Sequence, residues 1–214
     1  MAAAHHTPVL LRQVMDGLAL RPGSVIIDAT VGLGGHAEAM LQIPDTRLVG
    51  LDVDPDALRL ASERLVPFSN RVTLLQETYW NIAAVAARLS LGRVDAVLLD
   101  LGVSSLQLDT PERGFSFRHD APLDMRFAAT GPTAAEWLAQ VSEEDLVRTL
   151  RDFGEEPRSR RVARAILHAR ERAPICTTGE LRRIVAATLG RAGRIDPATR
   201  TFQAIRIAVN RELE

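Results

Sequence analysis

The chain of 214 residues predicts an α/β sheet in its first half and an all-helical second half. Up to about residue 110, four short apolar runs rich in β-branched residues alternate with segments of helical periodicity, whereas from Thr133 onward only helical periodicity remains. The runs are apolar almost throughout, which is typical of parallel strands that are covered on both faces. We therefore predict a sheet domain over residues 1–110, an irregular loop over 111–132 and a helical domain over 133–214.

Local signals predict the elements of the first half. An amphipathic stretch at 9–20 predicts a first helix, which ends at a turn containing Pro22 and Gly23. Asp54 and Pro55 favour the start of another helix, because Asp caps a helix and Pro suits its first turn. The predicted strands are residues 24–28, 47–52, 71–75 and 94–99, and the helices between them run from the glycine cluster at 32–35 to residue 41, from 55 to 65 and from 81 to 89.

The second half begins with a long stretch that has no clear period. Residues 101–132 are rich in glycine and proline, and a loop of this length in a compact domain is usually functional. Ser142 and Asp145 resemble a capping box, and Asp196 with Pro197 supplies an N-cap and a first-turn proline for the last helix. The predicted helices after this loop are residues 143–152, 157–172, 179–189 and 197–213.

The near-neutral net charge of −1 conceals an uneven distribution. Residues 157–211 contain 13 arginines against Glu171, Glu180 and Asp196, a net charge of +10, and the chain has no lysine. Because the planar guanidinium suits phosphate, this segment is a candidate nucleic-acid surface. A solvated helix surface explains the charge alone equally well.

Composition disfavours several classes of protein. No apolar run reaches the ~18 residues of a membrane helix, and the first residues lack the regions of a signal peptide. Cys176 is the only cysteine, which excludes an internal disulfide framework and a multi-cysteine zinc site. We therefore expect a cytoplasmic protein that has no association with a membrane.

A glycine-rich loop between the first strand and the next helix predicts a nucleoside cofactor. Gly32, Gly34 and Ala37 satisfy the dinucleotide fingerprint, and Asp52 follows the second strand, where an acid accepts hydrogen bonds from ribose hydroxyls. The same geometry serves S-adenosylmethionine, so the motif alone does not decide between the two cofactors. A purely structural glycine turn also remains open.

His36 lies in the first turn of the helix that follows this loop. A helix cap or a packed polar side chain is the ordinary role for a lone histidine, and a catalytic base is a second interpretation. No other His or Cys lies at ligand spacing, so we predict no metal site.

Three aspartates follow predicted strands. Ligands of parallel sheets bind beyond the carboxyl ends of the strands, so we expect Asp28, Asp52 and Asp100 to line one crevice. Asp100 is suited either to orient an attacking amine or to hold the amino group of a cofactor. Ser104 lacks the glycine elbow of a nucleophilic serine.

Five motifs in order along the chain resemble the bacterial MraW/RsmH family. Members of that family are S-adenosylmethionine-dependent 16S ribosomal RNA (cytosine-N4)-methyltransferases. The likeness extends from His6 to the last residue, and motifs of this length and order are highly specific. The motifs are DLGVSSLQLD (100–109), RGFSF (113–117), PLDMRF (122–127), FGEE (153–156) and PATRTFQAIRIAVNRELE (197–214).

The resemblance implies a Rossmann-like class I methyltransferase sheet with an inserted all-helical domain that recognises RNA. S-adenosylmethionine would be the methyl donor, and the small ribosomal subunit with its 16S rRNA would be the partner. Asp52 would hold the ribose, Tyr79 would flank the adenine, and Asp100 would also accept a proton from the cytosine amine as the catalytic residue. The residues implied in cofactor binding are Gly34, Gly35, His36, Asp52, Tyr79, Asp100 and Gln107.

Family members continue well beyond residue 214 and return to the sheet with further strands, so we expect this chain to be a fragment. An edge of the strand at 94–99 would then be uncovered, which favours aggregation and lower activity.

Two other functions remain as alternatives. A nicotinamide-dependent oxidoreductase would use the same sheet, but a chain without lysine cannot supply a Tyr-x-x-x-Lys site. A non-catalytic RNA-binding or ribosome-assembly module would keep the fold without turnover. A DNA amino-methyltransferase is disfavoured because its Asp-Pro-Pro-aromatic motif is absent after the fourth strand.

Overall fold

The computed structural model describes residues 8–190 and 195–213. The chain divides into two compact units, a sheet unit over Met1–Gly102 and a helical unit over Val103–Glu214. The division that we predicted lay near residue 110, whereas Val103 already packs against the core of the helical unit. Within the two described ranges, no helix is both long enough and apolar enough to cross a membrane.

The sheet unit is built on four parallel strands in the order β3-β2-β1-β4. The strands are β1 (Val25–Asp28), β2 (Arg47–Asp52), β3 (Val72–Gln76) and β4 (Ala96–Leu98). Strand β4 ends earlier than predicted because the backbone N–H of Asp100 donates to the Thr30 hydroxyl, at 2.7 Å, instead of continuing the ladder. The predicted α/β sheet is confirmed.

Apolar clusters lie on both faces of this sheet, which explains the continuously apolar strands. Ile26 and Leu48 belong to one cluster, and their chain neighbours Ile27 and Val49 belong to the other. Side chains alternate along a strand, so each pair of neighbours contributes to both faces. The helices of the unit are α1 (Leu11–Leu18), α2 (Gly35–Leu41), α3 (Pro55–Arg64) and α4 (Ile82–Arg88).

The helical unit has a core of its own. Its helices are α5 (Ser105–Asp109), α6 (Ala134–Gln140), α7 (Glu143–Asp152), α8 (Ser159–Arg172), α9 (Thr178–Leu189) and α10 (Thr199–Asn210). The predicted cap of α7 is present, since Ser142 Oγ accepts the N–H of Asp145 at 3.0 Å. Helix α10 ends before the predicted residue 213 because Arg211 takes a left-handed conformation (φ 52°).

The predicted irregular loop is held by hydrogen bonds despite its lack of regular structure. Asn210 of α10 accepts the N–H of Phe127 and donates to the carbonyl of Met125, both at 2.7 Å. Arg126 forms two hydrogen bonds of 2.7 Å with the carboxylate of Asp124. These polar side chains of the loop motif therefore have structural partners within the helical unit.

We predict that Asn210→Ala destabilises the helical unit by about 2–3 kcal/mol, because it removes the partners of backbone groups that are largely screened from water. Urea unfolding followed by near-ultraviolet circular dichroism measures the change. Gln203→Ala on the same helix is the control, since Gln203 is exposed and makes one 3.3 Å hydrogen bond to Phe153 O. Equal losses in the two variants would contradict a specific role for Asn210.

Candidate active site at the carboxyl edge of the sheet

The parallel sheet brings three carboxylates to one edge. Asp28 is the last residue of β1 and Asp52 is the last residue of β2, and Asp100 follows β4, the other neighbour of β1. The negative charges of Asp52 and Asp100 both raise the pKa of Asp28. The arrangement suits a ligand that carries positive charge and hydroxyl groups.

Asp52 connects the second strand to the glycine loop. Its Oδ2 accepts the backbone N–H of Gly32 at 2.8 Å, and its Oδ1 accepts the N–H of Asp54 at 2.9 Å. Burial raises the pKa of Asp52, although these backbone hydrogen bonds oppose the effect. Each carboxylate oxygen has a second lone pair, so Asp52 retains acceptor capacity for ligand hydroxyls. Gly32 of the glycine loop and Asp52, which are 20 residues apart in the sequence, are therefore in direct contact.

Asp28 is the most deeply buried of the three carboxylates, at 1% exposure. Its Oδ1 accepts the N–H of Thr30 at 3.2 Å, whereas Oδ2 has no hydrogen-bond partner among the residues that the structure describes. Burial raises the pKa of Asp28 to about 7. The sequence placed Asp28 at this crevice but gave no reason to include it among the binding residues.

Asp100 lies at the surface of the sheet unit, with 55% of its side chain exposed. Thr30 holds its backbone through the 2.7 Å hydrogen bond, and His36 Nδ1 lies 4.0 Å from Asp100 Oδ2. An exposed carboxylate at the end of a strand can accept a hydrogen bond or a proton from an incoming substrate. Thr30 was missed by the sequence analysis, because a hydroxyl that supports a distant backbone leaves no spacing signal.

The start of the described chain packs against the glycine loop. His36 is 8% exposed, and its Nε2 lies 3.1 Å from the carbonyl oxygen of Val9. A Cβ at Gly35 would lie 2.5 Å from Pro8 Cγ, so the absence of a side chain there accommodates Pro8. Gly34 has a φ of 77°, which L side chains rarely adopt. These contacts give His36 and Gly35 structural roles beside any role in binding.

The two remaining predicted residues lie in different units. Tyr79 lies in a 3₁₀ turn (Tyr79–Asn81) after β3 and packs against the apolar cluster that contains Ile27. Gln107 belongs to the helical unit, where it is 6% exposed and closes a capping box with Ser104 at the start of α5. The sheet unit therefore holds six of the seven predicted binding residues.

Comparison with known proteins identifies the family to which these features belong. The chain matches the MraW methylase family over residues 3–214. The chain belongs to this family. The MraW methylase match covers both compact units, so the sheet and the helical unit are parts of the family pattern.

Curated relatives agree with the family match. Ribosomal RNA small subunit methyltransferase H of Symbiobacterium thermophilum is 52% identical over 99% of this chain and 68% of its own length. The proteins of the same name from Streptomyces avermitilis and Bradyrhizobium diazoefficiens are each 47% identical over the whole chain and over 70% and 65% of their lengths. The chain thus spans about two thirds of the length of these relatives.

The residues at the carboxyl edge fit a methyl donor with a positively charged sulfur. Asp28 presents a buried oxygen without a hydrogen-bond partner among the described residues, and the negative charges of Asp52 and Asp100 act on it. The same charges disfavour the anionic pyrophosphate of a dinucleotide. In a MraW methylase this edge is therefore the place where a methyl donor is expected.

We predict that Gly35→Ala weakens the packing of Pro8 against the glycine loop, because the added Cβ and Pro8 cannot occupy the same space. Amide hydrogen exchange of α1 and the preceding residues should become faster. Gly17→Ala is the matched control, since a Cβ at Gly17 meets nothing within 4 Å and alanine favours a helix. Unchanged amide exchange rates in Gly35→Ala would show that the packing of Pro8 does not require glycine at position 35.

Proposed function

We propose that this chain transfers a methyl group from S-adenosylmethionine to the exocyclic N4 of a cytosine in 16S rRNA of the small ribosomal subunit. The observation that carries the proposal is membership of a methylase family together with three carboxylates at the ligand edge of the sheet. The names of the curated relatives support ribosomal RNA of the small subunit as the substrate class.

Different residues of the sheet unit would bind different parts of the methyl donor. Bound S-adenosylmethionine supplies an electrophilic methyl group on a cationic sulfur. Asp52 accepts hydrogen bonds from the ribose hydroxyls, since its oxygens keep lone pairs beyond those used by Gly32 and Asp54. Tyr79 would bind the adenine through its ring, and Asp28 would balance the positive charge.

An amine acceptor fits the residues available. Methylation of a pyrimidine carbon commonly needs a cysteine nucleophile, and residues 1–102 contain no cysteine. An exocyclic amine attacks directly, so the protein has to position it and remove one proton. Asp100 supplies the exposed carboxylate for that task, accepting a hydrogen bond from N4–H before transfer and the proton afterwards.

The arginines of α8 support recognition of RNA by the helical unit. Arg160 and Arg161 are exposed at its first turn, and neither pairs with a carboxylate among the residues that the structure describes. Arg164 differs from them, because it pairs with Glu143 at 3.2 Å. Unpaired exposed guanidinium groups are available to phosphate oxygens.

The first test measures methyl transfer to small ribosomal subunits that lack the modification. We expect N4-methylcytidine in the 16S rRNA after nucleoside digestion and mass spectrometry. Asp100→Asn should lower kcat by roughly 100-fold or more, because the amide cannot accept the proton. The control is Asp95→Asn at the opposite end of β4, where an amide can still accept the N–H of Val25.

Methylation at another atom would contradict the N4 assignment, and full activity of Asp100→Asn would remove Asp100 from the mechanism. Binding of the subunit without any methyl transfer would favour the non-catalytic RNA-binding module.

A second test concerns the charge of α8. The double variant Arg160→Gln/Arg161→Gln should bind rRNA more weakly and reduce the slope of log K against log salt by about 1.5. The control is Arg148→Gln/Arg151→Gln on α7, since these arginines pair with Asp145 and Asp152 at 2.7 and 2.6 Å. An equal change of slope in the two double variants would contradict a specific phosphate contact on α8.

A further inference from the structure

Asp28 is a buried acid whose hydrogen bonding is incomplete. Thr30 N–H satisfies Oδ1, and Oδ2 lacks a partner within the described residues although the side chain is only 1% exposed. An unpaired polar atom in a buried position costs free energy, so native proteins usually provide it with a partner. At an edge where ligands bind, a ligand that supplies positive charge or a hydrogen-bond donor completes the arrangement.

The groups around Asp28 make its ionised form costly. Burial raises its pKa to about 7, with the N–H of Thr30 opposing the increase and the charges of Asp52 and Asp100 adding to it. His36 also lies at this edge, where its Nδ1 is 4.0 Å from Asp100 Oδ2. Asp54, which is fully buried, adds negative charge beside Asp52. Near neutral pH, Asp28 is therefore divided between its protonated and ionised forms.

We propose that Asp28 determines the selectivity of the site for the cationic methyl donor over the demethylated product. The inference rests on S-adenosylmethionine being the donor. When the donor binds, the O–H bond of Asp28 breaks, the proton passes to solvent, and the carboxylate balances the charge of the sulfonium. S-adenosylhomocysteine carries one positive charge less, so Asp28 takes a proton back from solvent after transfer and holds the product less tightly.

The direction of the pH dependence follows from this exchange. The ionised form of Asp28 binds the cation, so the affinity for S-adenosylmethionine rises as the pH rises towards 7 and levels off above it. The fraction of ionised Asp28 grows roughly 15-fold between about pH 5.5 and pH 7.0, and the dissociation constant should fall by a similar factor. For S-adenosylhomocysteine we expect a change of less than about threefold.

Titration calorimetry in two buffers of different ionisation enthalpy tests the proposal directly. At about pH 6, the full chain should release close to one proton when it binds S-adenosylmethionine and much less when it binds S-adenosylhomocysteine. Carbon-13 NMR of the Asp28 carboxyl group in the wild-type chain provides a second measurement that needs no variant. Its chemical shift should change with a midpoint near pH 7 in the free protein. In the donor complex at that pH, the chemical shift should be that of the ionised carboxylate.

Asp28→Asn separates the contribution of Asp28 from that of His36. The amide can still accept the N–H of Thr30 but cannot titrate, so the variant should lose the proton release and most of the preference for the donor. The control is Asp45→Asn, because Asp45 is exposed and has a left-handed conformation (φ 58°) that asparagine accepts readily.

These experiments distinguish failure of the inference about Asp28 from failure of the proposed function. Equal proton release with donor and product, or wild-type release in Asp28→Asn, would overturn the role of Asp28 while leaving methyl transfer intact. Failure to bind S-adenosylmethionine at any pH would overturn both proposals.

Discussion

The parallel pairing of β1 between β2 and β4 is the constraint on which the candidate site depends. In this register Asp28 lies opposite Gly50 on one side and Leu98 on the other, so the neighbouring strands end close to the same level. A shift of one residue would turn Ile26 and Ile27 towards the opposite apolar clusters. The hydrophobic core thereby positions the carboxylates, although none of them contributes to it.

Sequence reasoning predicted the elements well where a local pattern determines them. The strands lie within two residues of their predicted ends, because β-branched runs stop at turns and polar residues. Helices α3 and α7 begin where Asp54 and Ser142 supply the expected caps. The contact between Gly32 and Asp52 was also accessible, since it joins two recognisable motifs at a typical spacing.

Other features could not be predicted because they depend on contacts between distant residues. The short helix α5 was assigned to an irregular loop, since five residues show no period and its capping box uses Gln107. The contact of Pro8 with Gly35 and the unpaired oxygen of Asp28 depend on the packing of the whole sheet unit. Composition and spacing carry no signal for either of them.

Opposite charges are concentrated in different parts of a nearly neutral chain. Carboxylates collect at the strand ends, whereas the 55 residues from 157 to 211 hold half of all the arginines. The two proposed ligands have opposite charges, a sulfonium cation and a phosphate polyanion. The net charge of the chain is therefore close to zero, although each region has a strong local electric field.

The hydrogen bonds of Asn210 also have a consequence for synthesis of the chain. They join positions that are 83 and 85 residues apart, so the backbone at Met125 and Phe127 leaves the ribosome long before its partner exists. At typical elongation rates this interval lasts roughly 4–17 s. The loop therefore reaches its final conformation only after α10 has been synthesised, when the earlier helices have had time to form.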